Sequence, residues 1–239
     1  METAFKVLSL LPWTDWVALV AYFAGWVGYV IFAKRRSTKR PSVLASTNRI
    51  RRQWMVQATH REVRVFDGVV IQSLSNSPSF FASTTILIIG GLLAVLGTTE
   101  KATELVREIP FAARTSVLVF DLKIVLMLMI FVYAFFRFTW SMRQYTFGAL
   151  MVAAAPEAEL LAAQGAEGEA WRQAFADRAG RVVGMAAETF NDGLRAYYFA
   201  FAAIGWFFSP LLFVVANGIV VYILYQREFR SEVLEVLKG

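Results

Sequence analysis

Two charged residues inside an apolar run offer the first chemistry in this chain. Asp121 and Lys123 fall about one turn inside the segment 117–136, where a charge in hydrocarbon needs a partner or a wet cavity. Two positions apart on a helix, they do not face each other. Lys123 has the length to snorkel outward, whereas the short Asp121 needs a donor of its own. Asn217, at similar depth in the last apolar run, is the expected partner through an interhelical hydrogen bond. A second set is hydroxylic. Ser79, Ser83 and Thr84 open another apolar run and either line a pore or bond back to their own helix. A third feature is Pro210, which removes a backbone donor near the middle of the last run. The carbonyl it frees marks a ligand or gate position, or only a packing kink.

Other chemistries lack their residues. There is no cysteine, so disulfides, thiolate zinc sites, iron–sulfur clusters and cysteine nucleophiles are excluded. His60 is the only histidine, too few for bis-histidine haem ligation within one chain. No GxSxG, HExxH or Walker pattern and no acidic metal cluster occurs. The expectation is a protein without catalytic residues and without a cofactor.

The elements that must hold these residues follow from hydropathy. With 57% hydrophobic and 18% charged residues and a mean hydropathy of +0.51, lipid is the expected solvent. A bilayer core of about 30 Å takes roughly 20 helical residues. Four segments meet that length, at 16–33, 80–97, 117–136 and 196–225, and predict an all-α integral membrane fold in one membrane domain. The first run lacks the basic start and small-residue cleavage site of a signal peptide, so it reads as a retained signal-anchor helix.

Charge sets the expected orientation. Lys34, Arg35, Arg36, Lys39, Arg40, Arg49, Arg51, Arg52, Arg61 and Arg64 crowd the connector 34–78 against only Glu62 and Asp67. Short loops rich in Lys and Arg stay in the cytoplasm. The next connection balances Lys101, Arg107 and Arg114 with Glu100, Glu104 and Glu108, which suits the outer face. Four crossings then place both termini outside. Trp13 and Trp16, Tyr133 and Trp140, and Tyr222 and Tyr225 are read as interfacial belts at the outer, inner and outer ends of their spans. The net charge of +6 sits at a membrane boundary, so anionic inner-leaflet lipid, not nucleic acid, is the expected partner.

Within the connector, Thr47 or Asn48 caps an amphipathic helix running to about Leu74, with Ile50, Trp54, Ala58, Val65 and Val69 on its apolar face. It either lies on the inner leaflet or packs on the protein's own helices. Ser77 and Pro78 then restart the chain as N-cap and first helical residue of the second span. In that span Gly90, Gly91, Ala94 and Gly97 give a small-residue face suited to subunit contact. The region 137–195 reads as a cytoplasmic helical extension, a hairpin turned at 165–168. Gly180 and Gly184, in register with Ala176 and Ala187, offer a close helix contact, and its acidic residues suit docking on the basic connector.

Several of these stretches also carry a resemblance. Trp54 and Met55 through Arg61, Arg64 and Asp67 into SFFASTTILIIGG, then FRFTWSMRQYTF, then FNDGLRAYYF with Trp206 and Pro210, resemble the membrane family called domain of unknown function 599. The likeness runs from about residue 10 to 230. It implies a bacterial inner-membrane protein and brings no established activity. The family-like residues are Arg61, Arg64, Asp67, Ser79, Phe80, Phe81, Ser83, Thr84, Trp140, Arg143, Gln144, Asn191, Arg195 and Tyr197. Most fall near the expected cytoplasmic boundary, where one polar network is expected. Architecture favours a homo-oligomeric, channel-like permeation protein. The alternative is a non-catalytic scaffold that holds a protein partner on its cytoplasmic hairpin.

Overall fold

A computed structural model describes residues 11–37, 40–99, 101–102, 104 and 116–238. These residues form α1 (Trp13–Ser37), α2 (Val43–Ala58), α3 (Val65–Gly97), α4 (Val117–Ala153), α5 (Ala158–Ala163), α6 (Ala166–Ile204), a 3-10 turn (Gly205–Phe207), α7 (Pro210–Phe229) and α8 (Glu232–Lys238). No strand occurs among the described residues. Lys39, Glu100, Arg107, Glu108 and Arg114 lie outside them. Four stretches are long and apolar enough to cross a membrane: Trp13–Ser37, Val65–Gly97, Val117–Ala153 and Pro210–Leu237. The chain is an all-helical, multi-pass membrane protein.

The helices divide between two compact units. The first is drawn from Met1–Arg40, Thr85–Ala134 and Leu194–Arg227, and the second from Pro41–Thr84, Phe135–Gly193 and Glu228–Gly239.

The core of the first unit is aromatic. Tyr22 packs against Phe199 and Phe213 with ring centroids 5.9 and 4.6 Å away, and Trp206 stacks on Phe213. Tyr22 donates its hydroxyl to the Phe199 carbonyl at 2.9 Å. These contacts decide the course of the chain. Phe199 and Phe213 lie seven residues to either side of Trp206, yet both meet the same ring. A Cβ on Gly205 would come within 3.2 Å of the Leu212 backbone, although seven residues along a straight helix span about 10 Å. The chain therefore doubles back at 205–209. The expected single span 196–225 is two antiparallel arms, the end of α6 and the whole of α7.

The reason lies in the turn's backbone. Gly205 has no Cβ to block the close approach. Ser209 accepts from the Leu212 N–H at 3.0 Å, which makes it the N-cap of α7, and Pro210 takes the first helical position, where a missing N–H costs nothing. Tyr225 consequently lies beside the basic end of α1, 6.2 Å from the Phe32 ring and 5.9 Å from the Arg36 guanidinium.

The expected restart at Ser77 and Pro78 is also corrected. Pro78 lies inside the unbroken α3 and is buried. The break comes earlier, at 59–64, and α2 is capped by Ser42, which accepts from Ala45 N–H at 3.1 Å, not by Thr47 or Asn48. The carbonyls at the end of α2 are taken up by side chains from elsewhere in the second unit. Arg64 donates to the Ala58 carbonyl at 3.2 Å, and Arg172 to that of Thr59. Val65 and Val69 are exposed on α3 and are not part of the apolar face of α2.

In the second unit, Met55, Ile71, Tyr145, Val152, Phe175, Ala176, Ala179, Val183 and Ala186 form one core. The small-residue stripe on α6 meets α2 as its spacing predicts. A Cβ on Gly180 would strike Arg52, and one on Gly184 would strike Asn48. Asp177 pairs with Arg52, so the acidic hairpin does dock on the basic helix. The hairpin turns at Gly165, whose φ of 56° suits glycine. Finally, α8 packs on α2. Leu44 N–H donates to Glu228 Oε1 at 3.1 Å and Arg49 to the Leu237 carbonyl at 3.1 Å. The C-terminal helix and the basic connector therefore lie together within the second unit.

Candidate functional site

The expected polar network resolves into separate clusters. In the second unit the break at 59–64 places Asp67 in the first turn of α3, fully buried. Trp54 donates its indole N–H to Asp67 Oδ1 at 2.7 Å, and Arg61 pairs with the same oxygen. Its second oxygen, Oδ2, is buried and finds no donor among the described residues. Arg64 turns away from this group and donates to the Ala155 carbonyl at 2.6 Å and to that of Pro156. Its guanidinium thus joins the end of α2 to the turn that follows α4.

Arg172 makes a parallel link that the sequence reading missed. Its guanidinium is buried and donates to the carbonyls of Thr59 and, at 2.9 Å, Ala158. The signal was present: Arg172 is the one cation in the stripe of Ala176, Ala179 and Val183 that faces the core. A buried arginine surrounded by small apolar residues must reach a carbonyl or an anion. The Arg137–Asp192 ion pair was likewise missed.

The remaining family-like residues scatter. Thr84 donates back to the Phe80 carbonyl at 2.9 Å, Ser83 is exposed and Ser79 half-buried. Gln144 is buried and its Oε1 finds no donor among the described residues, Arg143 is exposed and Asn191 half-buried. Arg195 belongs to the other unit, where it lies 5.8 Å over the Tyr29 ring. Arg51 is held by Thr47 and Asn48 at 3.0 and 2.8 Å. Burial pulls its pKa below the usual value, opposed by the nearby Tyr145.

The first unit holds the intramembrane charges. Asp121 accepts from the Thr99 hydroxyl at 2.8 Å, while Asn217 donates to the Ala21 carbonyl at 3.3 Å. The expected Asp121–Asn217 bond is therefore replaced by two separate ones, a consequence of the chain reversal, which repositions α7. Lys123 does not snorkel. It is buried and donates to the Trp206 carbonyl at 2.8 Å. Trp206 in turn donates its indole N–H to the buried Asp15 at 2.5 Å. One tryptophan thus joins a buried cation and a buried anion at the turn that redirects the chain.

The profile of the family described as "Protein of unknown function, DUF599" matches residues 17–233. The chain belongs to this family. No curated protein and no solved structure matches it. The stretch shared with DUF599 contains Asp67 and its donors, the two linking arginines, Asp121, Lys123, Trp206 and Asn217, and begins just after Asp15.

The second unit of this DUF599 chain also holds a polar cleft of about 240 Å³. Asn48 and Arg52 of α2 line it, with Asp177, Gly180, Arg181, Gly184 and Glu188 of α6. The arrangement can hold a small polar group between charges of both signs.

Replacing Asp67 tests the first cluster. Asp67→Ala strands the Trp54 indole and removes the counter-charge of Arg61. Bonds to an ionised acceptor contribute about 1.5–3 kcal/mol each, so a loss of about 3 kcal/mol is expected. Asp67→Asn keeps an acceptor for Trp54 and should lose about half as much. Unfolding in mild detergent checks both values, and unchanged midpoints would remove Asp67 from the list of structural anchors.

Proposed function

We propose that this chain is a subunit of a homo-oligomeric, channel-like protein of the bacterial inner membrane, with α3 facing the shared axis. The observation that carries the reading is the bare face of α3. Only 11% of its apolar 18-residue stretch is buried, against 22, 39 and 22% in the corresponding stretches of Trp13–Ser37, Val117–Ala153 and Pro210–Leu237. Ser83, Gly90, Gly91, Ala94, Gly97 and Thr98 are all exposed along it, and no neighbour lies within 4 Å of a Cβ built on Gly90, Gly91 or Gly97. Small residues on a span allow backbones of neighbouring subunits to approach. The hydroxyls of Ser83 and Thr98 supply polar groups where a permeation path needs them.

The basic side is the cytoplasmic side in this reading, because Lys34, Arg35, Arg36 and Arg40 and the arginines of α2 concentrate there. With the reversal at 205–209, the end of α6 becomes a fifth crossing. The N-terminus then lies outside and the C-terminus inside. Native mass spectrometry and bilayer recording test the assembly. A symmetric oligomer with conductance is expected, and Gly90→Leu with Ala94→Leu should drive it to monomer and silence it. A wild-type protein that is monomeric and non-conducting would overturn the proposal.

A second reading is an accessory subunit that holds a protein partner on its basic side. The polar cleft between Arg52, Asp177, Arg181 and Glu188 favours it. A non-conducting protein that binds its partner through this cleft, and loses it with Arg181→Glu, would fit this reading alone.

A further inference from the structure

Between α1 and α4 of the first unit runs an apolar cavity of about 380 Å³, lined among others by Trp26, Val30, Ile31, Met129, Ile130 and Tyr133. We propose that it is a binding site for one acyl chain of an anionic phospholipid, whose phosphate is held by Lys34 and Arg35. This inference does not depend on how many subunits assemble.

Three observations carry it. The cavity belongs to two spans, and exposed side chains form its rim: Val27, Ile31, Met129 and Tyr133 are all open on the lipid side. An apolar space of this size in hydrocarbon gains dispersion contacts only when a chain fills it, and the volume falls within the range of ordinary ligand pockets. Its wall is also rigid. Trp26 stacks on the buried Phe199 at 5.0 Å and 11°, and meets the Tyr133 ring edge-on at 5.9 Å. A preformed wall costs little ordering on binding, so a chain seated there outlasts those of the fluid lipid around it.

The third observation identifies the headgroup. Ile31 forms the end of the cavity on α1, and Lys34 and Arg35 follow it by three and four residues. Side chains at those spacings share one helix face. Both are exposed, so the face of α1 that carries the end of the cavity also carries an ammonium and a guanidinium. Each basic group near an anionic lipid surface contributes about 1 kcal/mol. Together they should favour an anionic over a zwitterionic lipid by about tenfold or more.

The full-length protein, stripped of lipid in mild detergent, is titrated with dioleoyl phosphatidylglycerol and separately with dioleoyl phosphatidylcholine, and bound lipids are counted by native mass spectrometry. One retained phosphatidylglycerol, favoured by about tenfold, is expected. Lys34→Gln with Arg35→Gln should abolish the preference while chain binding persists. Val30→Trp, which fills the cavity, should abolish binding of both lipids. Equal retention of the two lipids by the wild type would overturn the headgroup assignment. A folded Val30→Trp variant that still holds phosphatidylglycerol would overturn the cavity. Should that variant not fold, phosphatidylglycerol brominated along its chains decides the matter: it should quench a component of wild-type fluorescence that Trp26→Phe removes, and an unchanged quench would sink the site.

Discussion

A fluorescent protein joined to the C-terminus is expected to shine in the cytoplasm, and alkaline phosphatase joined at the same place to be inactive. The effect is all-or-none, because each reporter works on one side of the membrane only. The expectation rests on contacts at both ends of α7. At its start, Gly205 touches the Leu212 backbone, so the arm must return the way α6 came. At its far end, Tyr225 lies against Phe32, two residues before the basic cluster of α1. Beyond it, Glu228 and α8 bond to α2. Lys and Arg near a span hold their side in the cytoplasm, and the C-terminus is expected to go with them. Active alkaline phosphatase at the C-terminus would contradict the placement of the basic side in the cytoplasm.

Where the sequence could and could not be read turns on two Ser-Pro pairs. Ser77 and Pro78 carry the signature of an N-cap followed by the first helical residue, yet α3 passes through them unbroken. Ser209 and Pro210 carry the same signature in the middle of an apolar run and do begin a helix. Local chemistry is identical at the two places, so it cannot separate them. The difference lies in what meets the backbone. At 205–209 a glycine allows the chain to fold onto itself, and Lys123 supplies the donor that proline withholds. Gly205 in GWFFSP, against no glycine in LSNSP, was the readable hint. The long helices, the hairpin turn and the α2–α6 glycine contact were legible because hydropathy and small-residue spacing act locally. The partners of Asp121 and Asn217 were not, because they depend on which way α7 runs.

Lys123→Met should be among the most damaging single substitutions in the chain. In a continuing helix the Trp206 carbonyl would accept from residue 210, which is proline and has no N–H. The Lys123 ammonium fills that vacancy at 2.8 Å and also faces the Trp206 and Phe207 rings at 5.4 and 5.7 Å. Methionine keeps the length and apolar stem but has no donor and no charge. It leaves one buried carbonyl unpaired, and the Asp15 carboxylate loses its nearby cation. The lost donor and the lost cation together should cost about 3 kcal/mol or more. Asp15→Asn should cost less, about 1–3 kcal/mol, since the amide oxygen still accepts from the Trp206 indole. The two changes together should cost less than their sum, because neither leaves the other's charge stranded. Unfolding of the three variants in mild detergent measures each value and their coupling. Strict additivity would mean that Asp15 and Lys123 do not sense each other through Trp206. A Lys123→Met variant as stable as the wild type would mean that the turn at 205–209 holds without the ammonium.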